Sequence, residues 1–214
     1  MALVVAAAFA IVASNAHAAT DEARLRARLS PELADRVLSV VRSASEQGLP
    51  TSGLVARALE GESRGAPPVA ILEAVSRQAS ALGAARHALG TSARDAELEA
   101  GAGALLGGVS EDSLASLRRA RPSGSLVIPL VVLSDLVARG VPTAQASGTV
   151  TAATRAGAGD PALLRMRERV NERITRGEPP PGATREGLRE LLVRTNAEPQ
   201  RSETGTSTHG GRDP

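Results

Sequence analysis

The sequence predicts an all-α protein, organised as an irregular multi-helix bundle or as a short helical array. Apolar residues recur at spacings of three and four over most of the chain, which is the period of a helix with one buried face. Serine, aspartate and proline precede these segments and glycine follows them, as at the starts and ends of helices. The length of 214 residues suffices for one domain or for two very small ones. Many of the apolar residues are alanine, so we expect a thin core of leucine and valine.

The N-terminus has the pattern of a signal peptide over residues 1–18. Residues 2–13 are apolar and are followed by Ala16-His17-Ala18, a pattern typical of signal cleavage. As a helix, this apolar run would span about 18 Å, less than the ~30 Å hydrocarbon core of a bilayer. No Lys or Arg precedes the run, so an uncleaved anchor and an ordinary buried helix remain alternatives. We expect no role for His17.

Residues that favour the starts and ends of helices divide the first half of the mature chain into predicted helices. Thr20 is expected to cap a first helix, and Ser30-Pro31-Glu32 starts a second one that ends at Gly48. A short helix over residues 51–60 follows, and then a longer one from Pro67-Pro68 to near Gly90. The expected inward residues of these three helices are Leu33, Val37, Leu38, Val41, Leu54, Val55, Ala58, Leu59, Ile71, Leu72, Val75, Ala79 and Leu82.

The second half continues in the same way. Residues 92–95 resemble a capping box with Asp in place of Glu, and Ser110-Glu111-Asp112 starts a helix that carries Leu114 and Leu117. The most apolar segment, Leu126 to Val137, is the predicted central helix, with Pro129 tolerated near its start. Strands over residues 126–128 or 130–133 are the alternative, although no second β-like run is present to pair with them.

The C-terminal part contains two further helices and a tail. Asp160-Pro161 is expected to cap a helix with Leu163, Leu164, Val170 and Ile174 inward. A last helix is predicted from about Ala183 to Arg194. Residues 196–214 have no apolar periodicity and cannot bury enough area to offset the entropy of ordering, so we predict a disordered tail.

A Gly-x-Pro junction recurs between predicted helices. It occurs at residues 48–50, 65–67, 140–142 and 177–179, and a variant with Ser in place of Pro occurs at residues 108–110. Glycine accepts the left-handed conformation that ends a helix, and proline prevents the helix from continuing. We expect Pro142 to lie in the first turn of the next helix. The spacings between these glycines fix no period, so an array of degenerate helix pairs and an irregular bundle both remain open.

Composition excludes several kinds of chemistry. The chain has no Cys, which excludes disulfides, a thiolate nucleophile, a sulfur-ligated metal and an acylated-cysteine anchor. All 25 basic residues are Arg, the net charge is only +2, and Trp and Tyr are absent. The only Phe, Phe9, lies in the N-terminal apolar run, so the rest of the chain has no Phe, Trp or Tyr to stack on bases and we expect no nucleic-acid binding. Arginine is clustered at two places, Arg118/Arg119/Arg121 and Arg165/Arg167/Arg169/Arg173. The second cluster alternates with Glu168 and Glu172, so we interpret it as a solvated helix face with ion pairs along the helix.

Short motifs in the chain do not predict an active site. Residues 61–65 match G-x-S-x-G, but a helix is predicted before them where a nucleophile elbow needs a strand. His87 is expected on the outer side of its helix, and His209 lies in the tail. The glycine-rich residues 101–107 follow a helical segment, so close helix packing explains them better than a dinucleotide-binding turn. Asp95, Glu97 and Glu99 do not share one helix face, so we predict no metal site.

These observations predict an exported, non-enzymatic protein with a binding or scaffolding role in the bacterial cell envelope. We expect a periplasmic or extracellular location, another envelope protein as partner, and contact with the membrane only through the signal peptide. No catalytic, cofactor-binding or metal-binding residue and no cofactor is predicted. One alternative is a carboxylate-dependent enzyme or enzyme accessory that uses Glu60 or Asp135. The other is a membrane-surface protein that uses the helix from Pro161 to Arg176, which lacks Trp and Phe anchors.

Overall fold

The computed structural model describes residues 20–197, which fold into ten helices with no strand among them. The all-α prediction is confirmed. The strand alternative at residues 126–133 is wrong, because this segment is helical and its backbone groups are paired within the helix. The predicted signal peptide and residues 198–214 of the predicted tail lie outside the described residues.

The ten helices follow one another with short connections. They are α1 (residues 20–28), α2 (Pro31–Glu46), α3 (Ser52–Ser63), α4 (Pro68–Leu89), α5 (Asp95–Leu106), α6 (Glu111–Ala120), α7 (Val127–Ala138), α8 (Thr143–Arg155), α9 (Asp160–Thr175) and α10 (Pro180–Ala197). Their contacts define two compact units, whose boundary lies within α5 between Ala102 and Gly103. In the first unit, α2, α3 and α4 pack against one another. In the second, α8 packs against α6, α7 and α10, and α9 packs against α7 and α10.

Each unit has an aliphatic core, as the helical periodicity predicts. The largest fully buried side chains of the first unit include Leu25, Leu54, Ile71, Leu82, Leu89 and Leu98, and those of the second include Leu114, Leu117, Leu126, Leu130, Leu133 and Leu136. Among the predicted inward residues, Val41, Leu59, Leu72, Ala79, Leu164 and Ile174 are only half-buried. Alanine also contributes to both cores, as at Ala58 and Ala153, which are fully buried.

Two predicted serine caps are confirmed. The Leu33 N–H donates to Ser30 Oγ over 3.4 Å, and the Ser113 N–H donates to Ser110 Oγ over 3.3 Å. Each bond satisfies a backbone donor that the first turn of a helix leaves unpaired.

Three other predicted starts need correction. Residue 20 is already helical, so Thr20 does not precede α1 as a cap. At α5 the capping bond lies two residues beyond the predicted box, because the Arg94 N–H donates to Glu97 Oε2 over 3.1 Å. Asp160 is the first residue of α9 and Gly159 is its N-cap.

All five predicted junction glycines end a helix in the left-handed conformation, and a sixth, Gly157, does the same. Within the described chain, these six glycines have φ between +66° and +95°. The residue after each glycine donates its N–H to the carbonyl five residues earlier, for example Leu49 to Ala44 and Val141 to Leu136, over 3.0 and 3.1 Å. This is the Schellman arrangement. The Gly-x-Pro pattern did not identify the junction at Gly157-Ala158-Gly159, because the residue before the next helix is Gly159 and not proline.

Two predicted helix boundaries are wrong. Helix α3 continues through Gly61 to Ser63, so Gly61 is not a stop. Helix α10 begins at Pro180, three residues before the predicted start, because its first two positions tolerate proline. It ends at Ala197, so residues 196 and 197, which we predicted to be disordered, are helical.

Substituting Gly140 with valine is expected to lower the free energy of unfolding by about 1–2 kcal/mol, the cost of placing a residue with a Cβ in the left-handed region. Gly140 has φ +86°, and an added Cβ would lie 3.8 Å from Pro180 Cγ, an ordinary contact. The control is Pro142→Ala. Pro142 is the N-cap of α8 rather than a first-turn residue as predicted, and it uses only its carbonyl there, so this change should cost little. Denaturant unfolding of both variants tests the pair, and equal, negligible effects would mean that the turn is not fixed.

Candidate functional site

A surface groove of about 480 Å³ lies between α2 and α4 in the first unit. Helix α4 contributes Ser76, Ala79, Ser80, Gly83 and Ala84. Helix α2 and the turn after it contribute Ser39, Val40, Ser43, Ala44, Gln47 and Leu49. Most of these side chains are small and none is charged. The groove therefore presents backbone and short side chains to whatever enters it.

A second concavity, of about 590 Å³, lies on the second unit and has the opposite character. It is lined by Arg139, at the end of α7, and by Glu168, Asn171, Glu172, Thr175 and Arg176 of α9. Asp135 lies beside it and accepts hydrogen bonds from Arg139 Nε over 3.1 Å and from Asn171 Nδ2 over 3.2 Å. Charges of both signs thus line this surface.

An ion-pair network joins α9 to α10. Arg173 donates to both Glu190 and Glu178, and Arg169 donates to Glu190 over 3.2 Å. The hydrogen bond from Arg173 lowers the pKa of Glu190, and the same bond raises the pKa of Arg173. Because the pKa of Glu190 is depressed, this contact stabilises the fold above the ordinary glutamate pKa and is lost as the pH falls through the lowered value. Glu190 is thus held ionised near neutral pH and does not have the raised pKa of a general acid.

Arg121 connects three elements of the second unit. Its guanidinium donates to the Ser125 carbonyl over 2.9 Å, to the Ala158 carbonyl over 2.9 Å and to Asp160 Oδ1 over 2.6 Å. These bonds join the end of α6, the turn before α7 and the start of α9. Arg121 therefore has a structural role.

The second arginine cluster has different partners from those predicted. Arg169 and Arg173 pair with Glu190 of α10 instead of along α9, and Arg167 Nε lies 4.0 Å from Asp135 Oδ2. The prediction of ion pairs with Glu168 and Glu172 is therefore wrong. Sequence spacing identifies neighbours on one helix, whereas these arginines face a neighbouring helix.

The two carboxylates that we considered for catalysis lie in different units, and arginines contact both. Glu60 lies 2.7 Å from Arg64 Nη2 and 3.4 Å from Arg57 Nη1. Asp135 is held by Arg139 and Asn171, as described above. Such contacts are typical of structural carboxylates on a protein surface.

The short motifs occupy helices. Ser63 is the last residue of α3, and its hydroxyl donates to the Glu60 carbonyl over 2.8 Å. Gly101 and Gly103 lie inside α5, so no phosphate-binding loop forms there. His87 is exposed on α4, as predicted, and His209 lies outside the described residues. Within residues 20–197, no three His, Asp or Glu side chains come together as a metal site would require.

Sequence reasoning missed both concavities. The signal for the first was present as small residues repeated at intervals of four, Ser39 and Ser43 in α2 and Ser76 and Ser80 in α4. What the sequence does not show is that α2 and α4 lie side by side.

None of the helices in the described part has the length and apolarity needed to cross a membrane. Comparison with known proteins gives no match to a family model, a curated protein or a solved structure.

Proposed function

We propose that this chain is an exported, non-enzymatic protein that binds another protein of the bacterial cell envelope. The observation that carries the proposal is the uncharged groove between α2 and α4. The proposal includes a signal peptide over residues 1–18, a disordered tail after Ala197 and an arrangement of the helices as an irregular bundle or a short array. Its support is the groove together with the arginine contacts of Glu60 and Asp135, which favour binding over carboxylate catalysis.

The groove fits an amphipathic helix better than a small polar ligand. Its lining of Ser, Ala and Gly lets a helix backbone approach closely, while Val40 and Leu49 offer apolar contacts. Grooves of this kind receive one apolar face of a partner helix. Gln47 bonds back to the Ser43 carbonyl over 3.1 Å, so it borders the groove without closing it. We therefore expect the partner to contribute a helix with small and aliphatic residues on one face.

A substitution that fills the groove should prevent the chain from binding its partner. The mature chain is immobilised through its C-terminus and exposed to envelope extract, and the bound proteins are identified by mass spectrometry. We expect the unmodified chain to retain a partner that the Ser80→Trp variant does not, because indole would fill the groove at α4. The matched control is Arg77→Trp, which adds the same side chain to α4 at an exposed position outside the groove. Equal retention by both tryptophan variants would place binding elsewhere.

Export has a separate test. N-terminal sequencing of protein recovered from outside the cytoplasm is expected to begin at Ala19 or Thr20, because the small residues Ala16 and Ala18 are the ones that a signal peptidase requires. Intact protein starting at Met1 in the soluble cytoplasmic fraction would contradict export. That result would leave the groove and its partner open to the capture experiment.

A further inference from the structure

The helix-ending turns recur at a fixed distance along the chain. Gly48 and Gly140 are 92 residues apart, and so are Gly65 and Gly157. All four glycines are left-handed and all four turns carry the Schellman hydrogen bonds. This period stays hidden in the sequence pattern, because the junction at Gly157 lacks the proline. Identical or similar residues flank the turns, Gly-Leu-Pro-Thr at residues 48–51 and Gly-Val-Pro-Thr at residues 140–143.

Several helix bounds follow the same interval, although α4 has 22 residues and α9 has 16. The last residues of α1, α2 and α3 (residues 28, 46 and 63) each lie 92 positions before the last residues of α6, α7 and α8 (residues 120, 138 and 155). Helices α4 and α9 start 92 positions apart, at Pro68 and Asp160. A fifth helix follows in each case. The packing partners correspond in part, since α2 contacts α3 and α4 as α7 contacts α8 and α9. The halves differ elsewhere, because α3 packs against α4 in the first, whereas α10 packs against α8 and α9 in the second.

Many buried positions coincide at this interval. Apolar residues buried in both sets include the pairs Leu25/Leu117, Ala34/Leu126, Leu38/Leu130, Ala44/Leu136, Leu49/Val141, Leu54/Ala146, Ala58/Val150 and Ile71/Leu163. Each of these pairs joins two aliphatic residues, so the two cores use equivalent positions of the chain.

The two concavities are equivalent as well. Each of the six residues that line the second lies 92 positions after a residue that lines the first, as Arg139 does after Gln47 and Glu172 after Ser80. A groove between the second and fourth helices is therefore common to both halves. Only its chemistry differs, with small, uncharged side chains in the first half and charged ones in the second.

We infer that the chain is a tandem duplication of one five-helix repeat, in which each copy is stabilised by its own contacts and carries its own groove. The copies differ where close packing differs. A Cβ on Gly61 of α3 would come within 2.8 Å of Ile71 Cγ1 of α4, and the equivalent residue of α8 is Ala153, which has a Cβ. In the second copy the close approach lies instead between α9 and α10, at Gly187.

A matched pair of substitutions in the full chain tests this inference. Gly65→Val and Gly157→Val change equivalent left-handed residues, and neither added Cβ would have an atom within 4 Å, so both act through backbone strain alone. We expect each to speed amide hydrogen exchange about tenfold in the helices of its own copy and to leave the other copy unchanged. The controls are Gly83→Ala in the first copy and Gly148→Ala in the second, both at helical glycines with open surroundings. Neither control should speed amide hydrogen exchange in either copy.

Faster exchange in both copies from either valine variant, or an effect from only one of the two, would overturn the inference. If a variant does not fold, a crystal structure of the unmodified chain decides. Residues 20–83 should superpose on residues 112–175 better at an offset of 92 than at any other offset. No preference for that offset would contradict a duplication.

Discussion

Replacing Leu133 with alanine is expected to lower the free energy of unfolding by about 2–5 kcal/mol, the range for removing a large buried aliphatic side chain. Leu133 is 1% exposed in α7, which packs against α8 and α9. The cost combines lost apolar burial with the cavity that remains, because the helices relax only partly around it. Chemical denaturation followed by far-UV circular dichroism measures the change.

The matched control for this change is Val131→Ala. Val131 is on the same helix, two positions away, and is 39% exposed. Alanine has the higher helix propensity, so this variant should stay within about 0.5 kcal/mol of the unmodified chain. A small loss for Leu133→Ala would mean that α7 is not the centre of the second core.

Gly187→Ala is expected to destabilise the protein by about 1–3 kcal/mol, the usual cost of overpacking, although alanine favours a helix by about 1 kcal/mol over glycine. An ideal Cβ on Gly187 would lie 2.6 Å from Val170 Cγ2 and 3.6 Å from Met166 Cγ. Real Cβ atoms do not approach that closely, so α10 would have to move away from α9. Thermal unfolding and denaturant titration both report the loss.

Gly148→Ala provides the opposite expectation. Gly148 is exposed in α8 and an added Cβ has nothing within 4 Å, so this variant should gain about 0.5–1 kcal/mol from helix propensity alone. Combining Gly187→Ala with Val170→Ala should recover part of the loss by removing the atom in conflict. A Gly187→Ala variant more stable than the parent would show that α9 and α10 are not in close contact.

Local features of the fold were predictable, because the residues that determine them are adjacent in sequence. Ser30 and Ser110 cap their helices, and the five predicted junction glycines end theirs. High apolarity identified the segment of α7 as a helix even though Pro129 lies within it. Propensity and spacing are sufficient here, since each decision involves residues within one or two turns.

Features that depend on helix pairing were not predictable. Gly61 follows the predicted end of the third helix and Gly187 had no predicted role, whereas each marks a place where two helices touch. The partners of Arg169 and Arg173, and the two grooves, likewise depend on which helices are neighbours. The interval of 92 residues became visible only with the turn at Gly157, whose hydrogen bonds reveal a junction that its sequence does not.

The Schellman turns also bear on how fast the chain finds its structure. Each turn completes its hydrogen bonds within six consecutive residues, so the reversal after a helix needs no distant segment to form. The helices that pack together within each unit are near neighbours in sequence. Chains with short loops between contacting residues lose little entropy before contacts form, and helical domains of this kind fold in microseconds to milliseconds. We therefore expect these turns to make refolding rapid, so that the unfolded chain exposes its apolar surface only briefly.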